Sequence, residues 1–101
     1  MSFVKVASKN ELASGTMKAV EANGKKILLV KLADNFFAIG NMCKHRGCKL
    51  SSGVLEGEVV ECPCHGSRYN IKTGAIVRGP TKEPEPNYEL RVKNDQVLVK
   101  V

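Results

Sequence analysis

The chain has 101 residues, a formal net charge of +6 at pH 7 and 43% apolar residues. This length supports one domain with a modest core, and no run approaches the roughly 18 apolar residues that a membrane span needs. The N-terminal stretch MSFVKVASKN has no signal-peptide core, so we expect a soluble cytoplasmic protein. The basic residues are scattered without interleaved aromatics, which argues against nucleic-acid binding and favours an acidic protein partner.

Short alternating segments separated by turn residues predict an all-β domain. In the first part of the chain, strands are predicted at 2–7, 16–22, 25–32 and 36–40. The stretch SKNE at 8–11 has the form of a capping box and predicts one short helical turn. Asn23-Gly24 predicts a tight hairpin, and Asp34-Asn35 predicts the turn into the fourth strand.

Near the C-terminus, strands are predicted at 87–93 and 96–101, on either side of a hairpin turn at Asn94-Asp95, and the last strand is expected to pair with the first. The middle of the chain is rich in Gly, Cys and Ser, with short strands around 58–62, 67–71 and 74–78, followed by an extended proline-rich loop at 78–87. We therefore expect an antiparallel β-sandwich or small barrel. Its base consists of residues 1–40 and 81–101, and its inserted subdomain spans 41–80.

Two similar hexapeptides, CKHRGC (43–48) and CPCHGS (62–67), contain every cysteine and histidine of the chain. Each holds one Cys–His pair, Cys43 with His45 and Cys62 with His65, so two facing loops could offer two thiolates and two imidazoles to one centre. Three interpretations are open. They are disulfides with two surface histidines, a zinc site of unusual ligand order, and a 2Fe–2S cluster in which histidines replace two thiolates.

The spacing C-x-H, sixteen residues, C-x-x-H, with a second half reading CPCHGSRYNIKTG, resembles the Rieske iron–sulfur domain across residues 41 to 80. The resemblance implies the Rieske-type β fold and one 2Fe–2S cluster. It implies that Cys43 and Cys62 bind one iron, and that His45 and His65 bind the other. Because two neutral imidazoles replace two thiolates, it also implies a reduction potential well above that of plant-type ferredoxins.

Further residues acquire roles through the same resemblance. In the Rieske proteins of cytochrome bc and b6f complexes, the pair matching Cys48 and Cys64 forms a disulfide. Soluble Rieske ferredoxins usually lack the pair, and two buried thiols are the alternative. The hydroxyls of Ser67 and Tyr69 match groups that donate hydrogen bonds to the cluster and raise its potential, although both fit ordinary structural roles. Gly79-Pro80 resembles the loop that covers the cluster and equally suits a plain turn.

A cluster with four protein ligands has no open coordination position, and no nucleophile–base pair is apparent, so we expect an electron carrier and not an enzyme. We expect a monomer that passes electrons between a reductase and an oxygenase or another redox enzyme. The alternatives are a non-catalytic Rieske subunit of a larger oxidoreductase and a zinc-binding interaction module. Basic residues in or beside the ligand loops would steer an acidic partner, unless they only solvate these loops. They are Lys44, Arg46, Lys49 and Arg68, with Arg78 before the covering loop.

Overall fold

The computed structural model of the protein describes residues 2–43, 47–64 and 66–101. Within these ranges ten strands form three antiparallel sheets, which confirms the predicted all-β class. The strands are β1 (Phe3–Ser8), β2 (Thr16–Ala22), β3 (Lys25–Leu32), β4 (Asn35–Gly40), β5 (Val54–Glu56), β6 (Val59–Glu61), β7 (Arg68–Asn70), β8 (Ile76–Arg78), β9 (Leu90–Lys93) and β10 (Gln96–Lys100). One 3-10 turn, Leu50–Ser52, precedes β5.

The first sheet joins the two ends of the chain in the order β1-β10-β9. Phe3 lies opposite Lys100, so the predicted pairing of the last strand with the first is confirmed. Asn94 and Asp95 have φ angles of 51° and 62°, as a type I′ hairpin turn requires. Strand β9 begins later than position 87, because Asn87 instead forms an isolated bridge with Ile39 of the second sheet.

The second sheet is the meander β2-β3-β4, and its strands match the predicted ones closely. Asn23 and Gly24 both have positive φ angles, as expected for the predicted hairpin. The next turn lies one residue earlier than predicted, at Ala33-Asp34, because Leu32 already pairs with Asn35. The Ser14 hydroxyl accepts a hydrogen bond from the Ala33 N–H at 2.7 Å, which holds this turn against the loop before β2.

The predicted helical turn at 8–11 is a single hydrogen-bonded turn. The Glu11 N–H donates to the Ser8 carbonyl at 3.0 Å, and the Glu11 carboxylate accepts from the Ser8 N–H at 3.1 Å. The carboxylate contact is one half of a capping box, and the next residue, Leu12, is buried in a core cluster with Ala7 and Val97.

The third sheet, β5-β6-β7-β8, consists only of residues between 54 and 78, inside the segment predicted as an insertion. Strand β5 has only three residues and was not predicted. Residues of this sheet, of the second sheet and of the segments next to them form one hydrophobic core, which includes Leu28, Val30, Ile39, Leu50, Val60, Tyr69 and Ile71. The division into a base and an inserted subdomain remains a prediction.

The segment after β8 is a loop, as predicted, and it is held to the third sheet at Gly74. The Glu85 N–H donates to the Gly74 carbonyl at 2.9 Å. A Cβ at position 74 would lie 2.1 Å from the Glu85 carbonyl oxygen, so the two backbones approach too closely for any other residue. Among the residues that the structure describes, no helix has the length and hydrophobicity of a transmembrane span.

Candidate metal centre

The two cysteine-containing loops have the same backbone hydrogen-bond pattern. The Cys43 carbonyl accepts from the Gly47 N–H at 2.7 Å, and the Cys62 carbonyl accepts from the Gly66 N–H at 3.2 Å. The Cys43 N–H donates to the Cys48 carbonyl at 2.7 Å, and the Cys62 N–H donates to the Ser67 carbonyl at 2.8 Å. The repeated motif of the sequence therefore folds into two equivalent turns, each beginning at a cysteine.

An antiparallel residue pair also closes each turn at equivalent positions. Met42 pairs with Lys49 at the first loop, and Glu61 pairs with Arg68 at the second. In each loop the glycine has a positive φ, 71° at Gly47 and 77° at Gly66, a conformation that glycine adopts without steric strain. The closing pairs and the glycines together hold each cysteine at the base of its turn.

Cys43 and Cys62 are buried, with 3% and 2% of their surfaces exposed, and both belong to the core shared by the second and third sheets. Gly47 in the first loop and Pro63 and Cys64 in the second are exposed. The described part of each loop therefore runs from a buried cysteine to residues that are exposed to solvent. Such a geometry shields thiolate ligands from water while leaving the outer part of a bound group within reach of another protein.

A disulfide joins Cys48 to Cys64, with the Cα atoms 6.5 Å apart, so the loops are covalently linked. The sulfurs of Cys48, Cys62 and Cys64 all lie within 4.8 Å of one another. Because the disulfide occupies two of these sulfurs, Cys62 is the member of this trio that offers a thiolate to a metal. Buried cysteine sulfurs are soft donors of the kind that bind iron–sulfur clusters, and the donor set therefore fits such a group.

His45, His65, Lys44 and Arg46 lie outside the described residues, so their predicted contributions remain predictions. The same holds for the assignment of Cys43 and Cys62 as ligands, although their burial and equivalent positions agree with it.

Tyr69, on β7, is fully buried, and its hydroxyl lies 3.6 Å from the Cys43 sulfur. Ser67 is also fully buried, and its hydroxyl oxygen accepts a hydrogen bond from the Thr81 N–H at 3.1 Å. A serine hydroxyl that accepts one bond keeps its own hydrogen to donate. Both contacts are compatible with hydrogen bonds to a cluster, and the tuning roles of the two residues remain predictions.

The bond from Thr81 to Ser67 attaches the loop that follows Gly79-Pro80, a cis peptide, to the second ligand loop. The Thr81 hydroxyl in turn donates to the Glu83 carbonyl at 3.2 Å, and the Thr81 side chain is buried. Sequence reasoning did not identify Thr81, because no local pattern indicates which backbone N–H a distant serine will meet.

The predicted basic residues differ in how their charges are balanced. The Arg68 guanidinium contacts the Glu61 carboxylate at 2.7 Å and the Glu56 carboxylate at 3.4 Å. Its charge is therefore largely balanced within the third sheet. Lys49, at the equivalent position of the first loop, faces Met42 across the closing pair and is exposed.

The family model for the Rieske [2Fe-2S] domain matches residues 2–94. Ferredoxin CarAc of Metapseudomonas resinovorans is 35% identical over 98 residues, which covers 96% of this chain and 92% of that protein. The ferredoxin of carbazole 1,9a-dioxygenase from Nocardioides aromaticivorans IC177 superposes with a TM-score of 0.93 at 32% identity, covering 98% of this chain and 97% of that one.

A further solved structure is described as the complex of reduced oxygenase and oxidised ferredoxin in carbazole 1,9a-dioxygenase. Its matching chain has a TM-score of 0.90 and 33% identity, and the alignment covers 96% of this chain and 91% of that one.

The antiparallel sheets, the paired cysteine loops and these similarities define an iron–sulfur protein of the electron-transfer class. The chain belongs to the Rieske [2Fe-2S] domain family. It is an electron carrier with a Rieske 2Fe–2S cluster and not an enzyme in itself, as its full-length relatives are ferredoxins. The predicted fold, cofactor and carrier function are thus confirmed, and the zinc-binding module is not supported.

Proposed function

We propose that this chain carries single electrons from a reductase to the oxygenase component of a dioxygenase system. The observation that carries the proposal is the pair of equivalent turns that begin at buried Cys43 and Cys62. Its partner class is supported by the full-length similarity to dioxygenase ferredoxins, one of which was solved in complex with an oxygenase.

In the proposed site, Cys43 and Cys62 bind one iron as thiolates, and His45 and His65 bind the other as imidazoles. The cluster supplies one-electron storage at a potential raised by its neutral ligands. Other residues of the chain shield the ligands, link the loops and supply hydrogen bonds. The core excludes water from the two cysteines, and the disulfide between Cys48 and Cys64 holds the loops together. The hydroxyls of Ser67 and Tyr69 supply hydrogen-bond donors.

The partner is proposed to be acidic at its docking surface, since this chain has a formal net charge of +6. Complementary charge mainly accelerates encounter, and its effect is weakened by salt. We further propose that the protein acts as a monomer in the cytoplasm. A monomer elutes in size-exclusion chromatography at the 11.0 kDa of the chain.

The proposal is tested with purified protein that contains two irons and two sulfides per chain. Reduced anaerobically, it should show a rhombic electron paramagnetic resonance signal of one unpaired spin. Mixed with the oxygenase of a carbazole 1,9a-dioxygenase, it should be reoxidised in proportion to the oxygenase added.

Cys62→Ser should abolish the signal, whereas Ser52→Ala, an exposed change on the 3-10 turn, should leave it intact. A protein that takes up one electron but elutes only with a larger partner complex would instead favour a subunit of a multi-subunit oxidoreductase.

A further inference from the structure

We propose that Arg78 and the exposed strand β8 form the surface that receives an acidic side chain of the redox partner, beside the second ligand loop. The proposal rests on the function proposed above and assigns part of its docking surface to described residues. The partner is a protein that presents a carboxylate next to an apolar side chain.

Arg78 lies beside the second ligand loop. It is the last residue of β8 and is exposed. Its Nη2 atom lies 3.2 Å from the point that a Cβ of Gly66 would occupy. Gly66 closes the turn that begins at Cys62, so the guanidinium lies against the second ligand loop. A Cβ at that distance would make the guanidinium shift by a few tenths of an ångström, so the glycine favours the close approach.

Arg78 also differs from its strand neighbour in how its charge is balanced. Arg78 pairs with Arg68 in the register of β7 and β8, and like charges directly opposite each other destabilise a sheet. Arg68 contacts two glutamates, whereas Arg78 has no carboxylate within ion-pair distance in the part of the chain that the structure describes. Because Arg68 is already paired with glutamates, Arg78 is the cation of this strand pair that stays available to a carboxylate of the partner.

Strand β8 also presents apolar side chains next to Arg78. Val77 is 52% exposed and Ile76 is 37% exposed, so the two residues before Arg78 present apolar surface to solvent. Protein interfaces combine apolar area with arginine, which is enriched in them relative to lysine. An arginine next to exposed apolar side chains, at the loop where electrons leave, therefore suits a redox protein better than a nucleic acid or a membrane.

The test compares variants that lower the net charge equally at two places. Arg78→Gln removes the charge at the ligand loop. Arg91→Gln removes one from the first sheet, where Arg91 lies over the Phe3 ring. The reduced protein is mixed in stopped flow with the carbazole 1,9a-dioxygenase oxygenase over a range of ionic strengths.

At low ionic strength Arg78→Gln should lower the second-order rate constant by about fivefold and flatten its salt dependence, as expected for loss of one exposed ion pair. Arg91→Gln should match the wild type, and Arg78→Lys should recover most of the rate. Val77→Ser should lower the rate without changing its salt dependence. All variants should keep the visible spectrum of the wild type, and each rate constant is compared at the midpoint potential measured for that variant.

If Arg78→Gln and Arg91→Gln lower the rate equally, net charge steers the partner and the inference is overturned. The inference is also overturned if neither variant changes the rate. If the wild type does not reduce the oxygenase at all, the proposed function fails separately. The local charge is then measured with ferricyanide and hexaammineruthenium(III) as oxidants. Arg78→Gln should slow the anionic oxidant and accelerate the cationic one, and an unchanged ratio of the two rates would overturn the inference.

Discussion

The hydroxyl of Tyr69 lies 3.6 Å from the sulfur of Cys43, although 26 positions separate the two residues. Both are buried in the core that joins the second and third sheets. The contact joins strand β7 of the third sheet to the first ligand loop. It places a hydroxyl next to a proposed cluster ligand.

Tyr69→Phe should lower the midpoint potential, because a hydrogen bond to a ligand sulfur stabilises the more negative, reduced cluster. The loss of one hydrogen bond corresponds to about 20–60 mV for a one-electron couple. Protein-film voltammetry measures the shift. Tyr88→Phe, which changes the other tyrosine of the chain, should leave the potential unchanged. Equal potentials for Tyr69→Phe and the wild type would remove the tuning role.

Ser67→Ala should lower both the potential and the stability. The stability change arises because the Thr81 N–H loses its acceptor in a buried environment, at a cost of about 1–3 kcal/mol. Denaturant unfolding, followed by loss of the visible absorbance, measures it against Ser52→Ala. A variant as stable as this control would mean that Thr81 finds another acceptor.

Removal of the disulfide should destabilise the protein substantially. The linked cysteines are sixteen positions apart, and the chain-entropy argument gives about 3 kcal/mol for such a loop. This corresponds to a lower Tm by about 10–20 °C in a domain of this size. Because Cys64 is exposed, a mild reductant should reach the bond.

Thermal melts of the Cys48→Ser, Cys64→Ser double variant and of the reduced wild type should agree with each other. A double variant with the same Tm as the oxidised wild type would show that the hydrophobic core holds the loops without the disulfide.

Gly74→Ala should cost at least about 2 kcal/mol more than Gly57→Ala. Both glycines have positive φ angles, 81° and 57°, so both variants incur a similar backbone strain. Only at position 74 would the added Cβ meet the Glu85 carbonyl oxygen, whereas nothing lies within 4 Å at position 57. Overpacking at a fixed backbone accounts for the difference. Urea unfolding of the two variants measures it, and equal stabilities would mean that the 79–87 loop moves freely.

Tyr88 should make stability fall at alkaline pH. Partial burial raises the pKa of Tyr88 above its usual value, and the Glu85 carboxylate raises it further. The folded state then retains a proton that the unfolded state has lost. The contribution to stability is complete below about pH 10 and is lost as pH rises through the folded-state pKa.

Tyr88→Phe should therefore lose stability less steeply above pH 10 than the wild type. Ultraviolet difference spectra of the two proteins report the pKa directly. If the stability of the two proteins falls equally steeply above pH 10, the raised pKa of Tyr88 is contradicted.

Local patterns in the sequence determined most of the secondary structure and the candidate ligand set. Asn23-Gly24 and Asn94-Asp95 encode their turns because few residues tolerate positive φ at both positions. Alternating apolar residues marked the long strands, whereas Val54–Glu56 was missed because three residues carry too short a pattern. The spacing of cysteines and histidines marked the two loops, and the resemblance to the Rieske proteins of cytochrome bc and b6f complexes implied the disulfide between Cys48 and Cys64.

Only the tertiary structure decided which distant groups meet. The contacts of Tyr69 with Cys43 and of Thr81 with Ser67 depend on how sheets and loops pack, and no local pattern encodes that packing. The partners of charged residues are likewise not encoded by local sequence patterns. Arg68 and Arg78 look alike in the sequence, yet strand register places Arg68 beside Glu61, and Arg78 against Gly66 at the loop. Register is a property of paired strands, and it determines which cation the protein neutralises internally.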